Sequence, residues 1–170
     1  MRWLIFALYV AVTTGAVVLA IPIFLIAVLF GSAGGGFYLA GAFLLVIAYV
    51  AAIVYGRRTF QGIFLRGINQ KLADLKSSIN FIPVLSVMTS DKLAFLGFDS
   101  FSNTAAFINY LENEKKIFMF SDILGCNWKD DDRTALLEIT LKEGTVKIGV
   151  PSGQFHDFKT RMFAMTGMAD

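Results

Sequence analysis

The chain of 170 residues carries 15 Lys and Arg, 13 Asp and Glu and one His, a formal charge of +2, with 56% apolar residues. Those averages hide a division: 44 of residues 1–56 are apolar and Arg2 is their sole charge, whereas residues 57–170 hold 51 apolar residues in 114 and the other 27 charges. As a pattern this argues against a disordered chain and against a fully soluble one, and leaves room for one small water-facing domain.

Residues 3–30 run without a charge, about 42 Å as a helix against a hydrocarbon core of roughly 30 Å. Pro22 lies inside the run, where a kink is expected. Residues 37–55 form a second apolar run of about 28 Å, and the short uncharged connector 31–36 makes the two antiparallel neighbours. The expectation is a membrane helical hairpin over residues 1–56. Arg2 flanks the first run, and Arg57 and Arg58 flank the second, with Arg66, Lys71 and Lys76 behind them. Basic residues at both ends place both termini in the cytoplasm, for an integral protein of the inner (cytoplasmic) membrane. A cleaved signal peptide is the alternative, but the apolar run is about twice as long as such a core needs.

Small residues recur every fourth position, at Ala7, Ala11 and Gly15 and at Ala48, Ala52 and Gly56. Such stripes let helices approach closely, either seating the hairpin against itself or docking a partner's helix. No ionisable group lies within either run, which disfavours transport.

Residues 57–76 hold five basic residues and Asp74, and Phe60, Phe64, Ile68, Leu72 and Leu75 recur at helical spacing. Residues 57–80 therefore read as a basic amphipathic juxtamembrane helix, with Arg57, Arg58, Arg66, Lys71 and Lys76 as candidate contacts to lipid headgroups. A simple anchored stalk explains the same pattern.

From residue 81 the period changes to two. Strands are predicted at 84–89 and 92–98 around Ser90-Asp91, then at 104–111, 116–121, 123–129, 134–142 and 146–150. Pro151-Ser152 then reads as a helix start with Ser152 as N-cap, and Phe155, Phe158, Met162 and Met165 mark one apolar stripe up to Gly167. The expected class is a membrane hairpin followed by an α+β domain over 81–170, an antiparallel curved sheet or open barrel closed by a C-terminal helix.

Strand order, closing helix and the stretches Leu96-Gly97-Phe98-Asp99 and Ile117-Phe118-Met119-Phe120-Ser121-Asp122-Ile123-Leu124 resemble the PH-like domains of bacterial membrane proteins, over residues 84–166. The resemblance implies a cytoplasmic binding or scaffolding module, with an Asp-Ile corner at Asp122-Ile123. Lys92 stands nearly alone in the first hairpin, so the basic cluster of phosphoinositide binders is missing.

Catalytic groups are sparse. His156, the single histidine, neighbours Asp157, but adjacent helical residues point apart and make no acid–base pair. Cys126 is the single cysteine, so neither a disulfide nor a closed zinc site can form within the chain. Asp130-Asp131-Asp132-Arg133 lacks calcium-loop spacing and reads as a solvated hairpin tip, and Gly34-Gly35-Gly36 lacks the Lys-Ser/Thr of a phosphate loop. Met162, Met165 and Met168 fit core packing or an adaptable binding edge. No catalytic residue, metal or cofactor is expected. Residues 77–170 sum to nine basic and twelve acidic, which disfavours nucleic acid. The expected function is a non-enzymatic membrane-anchored adaptor or accessory subunit. Its partners would be membrane lipid and another membrane protein, or a second copy of itself. The alternative is a module sensing anionic lipid.

Overall fold

The computed structural model describes residues 2–11, 14, 15, 22, 25, 28, 29, 36–129 and 134–167. The connector 31–35, the acidic tip 130–133 and Met168 lie outside the described residues. The chain divides into two compact units, Met1–Ile63 and Phe64–Asp170.

In the first unit residues 2–11 are helical, and helix α1 (Gly36–Ile79) begins. Within this unit the Tyr9 ring meets Phe60 edge-on at 5.7 Å. Among the described residues no helix is long and apolar enough to cross a membrane. The expected hairpin anchor, the membrane and transmembrane assignment and the inner-membrane location are corrected accordingly. Helix α1 does not end where the apolar run ends. The apolar run predicted at 37–55 and the charged stretch behind it are one helix of 44 residues, with Arg57, Arg58, Arg66, Lys71, Asp74 and Lys76 in its second half.

In the second unit strands β1 (Leu85–Met88), β2 (Ala94–Asp99), β3 (Thr104–Asn109) and β4 (Glu114–Met119) form one antiparallel sheet in that order. A 3-10 turn, Phe120–Asp122, leads to a second antiparallel sheet of β5 (Ile123–Lys129), β6 (Thr134–Leu141) and β7 (Gly144–Pro151). Helix α2 (Ser152–Thr166) follows and ends at Gly167, whose φ of 71° is the left-handed conformation glycine adopts freely. Pro151, not Ser152, occupies the N-cap, with no side-chain cap bond. The two sheets are not closed into a barrel, which corrects the single curved sheet or open barrel expected. The break has a local cause. At the end of β4 the Met119 N–H donates to Asp122 Oδ2 at 3.1 Å, so it is capped by its own turn and unavailable to a neighbouring strand.

The inner faces of both sheets and α2 share one core, built on Leu96, Phe98, Phe107, Leu137, Ile139, Ile148, Phe158 and Met162. Met162 is fully buried there, which favours the packing reading of the methionines. Trp128 sits against Phe155 and Phe158 at 5.2 and 6.4 Å.

A second buried layer covers the other face of the first sheet. Strand parity puts Phe95, Ala106 and Ile108 on that face, yet all are buried. Phe64, Ile68 and Leu75 of α1 are 0% exposed; Phe64 stacks on Tyr110 at 5.3 Å, and Lys71 Nζ donates to the Glu114 carbonyl at 3.3 Å. The second half of α1 therefore lies on protein: its apolar stripe packs on this sheet, each such side chain contributing about 1.5–3 kcal/mol. Gly67 permits the approach, because a Cβ there would penetrate the Tyr110 ring.

Candidate protein-binding surface

Among the described residues the groups that carry chemistry are not brought together. His156 is exposed, and its neighbour Asp157 is paired with Arg161 at 3.0 Å. Burial pushes the Cys126 thiol up to about 11, which keeps it protonated and a poor nucleophile near neutral pH. Among the described residues no three His, Cys, Asp or Glu side chains gather to hold a metal ion.

Of the candidate lipid contacts, Arg57, Arg58, Arg66 and Lys76 are exposed on α1, while Lys71 is half-buried and turned to the Glu114 carbonyl. Of the small-residue stripes, Ala7, Ala11, Ala48 and Ala52 are exposed and Gly15 and Gly56 half-buried.

What the structure does assemble is an apolar surface around Asp99. The Asp99 side chain is 1% exposed and accepts from three backbone donors: Ile82 N–H on Oδ2 at 3.1 Å, and Phe101 and Ser102 N–H on Oδ1 at 2.9 and 3.5 Å. Burial alone would raise its pKa, but these bonds and one with the Ser102 side chain outweigh it and hold the carboxyl below its ordinary value. One carboxylate thus fastens the link after α1 to the turn between β2 and β3. It also fixes Ile82 and Phe101 side by side, and both are exposed, Phe101 at 86%.

The ladder extends this patch. Asp99 pairs with Thr104, and Thr104 with Met119 across the sheet. Met119, 60% exposed, and Ile117, two residues away on the same face, are therefore neighbours of the Asp99 turn. Val84 N–H donates to the Phe98 carbonyl at 2.9 Å, which places it at the same end of the sheet, where α1 terminates at Ile79. Ile79 at the end of the helix, Ile82 and Val84 in the link, Phe101 in the turn, and Ile117 and Met119 on the outer face of β4 are thus exposed toward this end of the sheet. Contiguous exposed apolar patches mark interaction surfaces.

Beside the patch, β4 is an edge strand, and a cavity of about 220 Å³ runs along it, lined by Lys116, Ile117, Phe118, Asp122 and the Leu141–Glu143 segment. This is less than the roughly 300–1,000 Å³ of a small-molecule site. Its two lysines are already paired, Lys116 with Glu114 at 2.8 Å and Lys142 with Asp122 at 3.0 Å. The bond from Lys142 and that from the Met119 N–H hold the Asp122 carboxyl below its ordinary value.

Sequence reasoning missed the apolar patch, since Ile82 and Phe101 come from links with no periodicity and Val84 stands at the very start of a predicted strand. Asp99 and Asp122 were singled out only as members of the PH-like stretches; both prove to be clasps of the backbone. No family model, curated protein or solved structure matches this chain.

Proposed function

We propose that the Phe64–Asp170 unit is a non-enzymatic protein-binding module, an adaptor or accessory subunit that docks a partner on the apolar surface around Asp99. The observation that carries this reading is that surface itself: six large exposed apolar side chains from four segments, two of which a buried carboxylate fastens by their backbone. The resemblance of residues 84–166 to PH-like modules, generally binding or scaffolding domains, agrees with a non-catalytic role. Anionic-lipid sensing has less support, because the cavity lysines are neutralised by Glu114 and Asp122 and the apolar stripe behind the basic residues of α1 is occupied by the sheet.

The test is retention of native partners by the tagged full-length chain. Phe101→Asp and Met119→Asp, both at exposed positions, should abolish retention without lowering thermal stability. Glu138→Lys, on the polar face of the second sheet, should leave it intact. Equal retention by all three variants would refute the proposal.

A further inference from the structure

We infer that the free edge of β4 receives an extended segment of a partner protein as an added strand, the segment carrying an acidic residue one position removed from three apolar ones. This rests on the protein-binding reading above and adds the mode and the chemistry.

The ladder fixes which backbone groups are on offer. Phe120 N–H donates to the Asn103 carbonyl at 2.9 Å, directly across the antiparallel register. Bonded and non-bonded pairs alternate, so Phe118, Lys116 and Glu114 also address β3, and Met119, Ile117 and Lys115 address the opposite side. Met119 N–H obeys this phase by reaching Asp122 instead of β3. The N–H and C=O of Ile117 and Lys115 point where no described strand lies, along the cavity of about 220 Å³. Such an edge is a template for a further strand.

Side-chain chemistry then selects the occupant. Residues directly opposite in a ladder share a face. An added strand would meet Lys115, Ile117 and Met119 on the outer face, and Lys116 and Phe118 on the face that lines the cavity. Charge complementarity calls for an acid opposite the exposed Lys115, Lys116 being already paired with Glu114, and for apolar residues opposite Ile117, Phe118 and Met119. A second copy fits poorly. β4 laid antiparallel on itself sets Lys116 against Lys116, Lys115 against Lys115, or both lysines against Phe118 and Met119, and the register that pairs Ile117 with Met119 meets an N–H already given to Asp122. Consecutive lysines on an edge discourage self-pairing while admitting an acidic strand. The strand would lie beside Ile117 and Met119 and so continue the apolar patch.

The experiment pans random dodecapeptides displayed on phage against the full-length chain, then measures the affinity of the enriched peptides as synthetic ligands. The inference expects an acidic residue one position removed from an apolar triplet. It also expects at least tenfold weaker binding to Ile117→Pro, which removes an outward N–H without touching the β3 ladder. Ile117→Ala, which keeps that N–H, should cost less. N-methylation of alternate peptide amides, which leaves the protein unaltered, should weaken binding tenfold in one phase and leave it unchanged in the other. No enrichment, enrichment of basic peptides, or indifference to N-methylation overturns the inference. Peptides that lose affinity for Phe101→Asp but not on N-methylation overturn strand addition and leave the apolar docking surface standing. Peptides indifferent to both overturn both.

Discussion

Replacing Asp99 by Asn tests whether a single carboxylate organises the binding surface. The charged side chain accepts from three backbone N–H groups, two on one oxygen and one on the other. An amide retains one accepting oxygen and presents NH2 to the remaining donor. If the amide oxygen keeps Phe101 and Ser102, the Ile82 N–H faces another donor and loses a bond to a charged group, worth about 1.5–3 kcal/mol. A destabilisation of about 2 kcal/mol is expected, a fall in Tm of about 8–16 °C for a unit of roughly 100 residues. The assay is thermal and urea unfolding of the full-length chain followed by circular dichroism. Asp157→Asn serves as the control, since its bond to Arg161 is exposed and an exposed pair is worth at most about 1 kcal/mol. The difference between wild type and Asp99→Asn also carries a pH signature. Because the folded-state pKa of Asp99 is depressed, its contribution is complete above the ordinary carboxylate value of about 3.9 and is lost as pH falls through the lower folded value. The gap between the two proteins should therefore narrow below about pH 4. Asp99→Asn melting within a degree of wild type at pH 7 would refute the clasp.

Two glycines of α1 should respond with opposite signs. Gly62→Ala meets open space and should stabilise by up to about 1 kcal/mol through helix propensity. Gly67→Ala must displace the buried Tyr110 ring, an overpacking cost of about 1–3 kcal/mol that should outweigh the same gain. Urea midpoints for both variants check this, and stabilisation by both would contradict the packing of α1 on the sheet. Cys126, raised from 9.0 to about 11, should react with a thiol reagent at pH 8 about 100-fold more slowly than an unperturbed thiol, the ratio of their thiolate fractions. A rate equal to that of free cysteine would show the site to be more open than the structure has it.

The β5–β7 sheet was legible because one of its faces is wet. On β6 and β7 buried residues alternate with polar ones, and Glu138 faces Lys147 across the register, 2.9 Å apart. On β2 all six residues are buried, one face against the inter-sheet core and the other beneath α1, so alternation is absent there. The stripe Phe64, Ile68 and Leu75 was readable as amphipathic, but periodicity names a face and not what covers it. Left without a partner by the sequence, the stripe lies on Tyr110 and its sheet. The same ambiguity affected the long apolar runs, whose composition resembles membrane spans while no described helix meets the requirement of length and apolarity together. The binding surface was least legible of all. Its members are separated by up to 40 positions and meet only through the register from Asp99 to Met119 and the hydrogen bonds of one carboxylate.

A binding role requires that the surface at Phe101 be covered by protein in the cell. A photoreactive benzophenone side chain placed at position 101 in the full-length chain, irradiated in living cells, measures this directly. A discrete heavier adduct from position 101, and none from the same probe at position 138 on the polar face of the second sheet, is the expected result. No adduct from position 101, or the same adducts from both positions, would contradict the claim that the apolar patch around Asp99 is where this protein meets its partner.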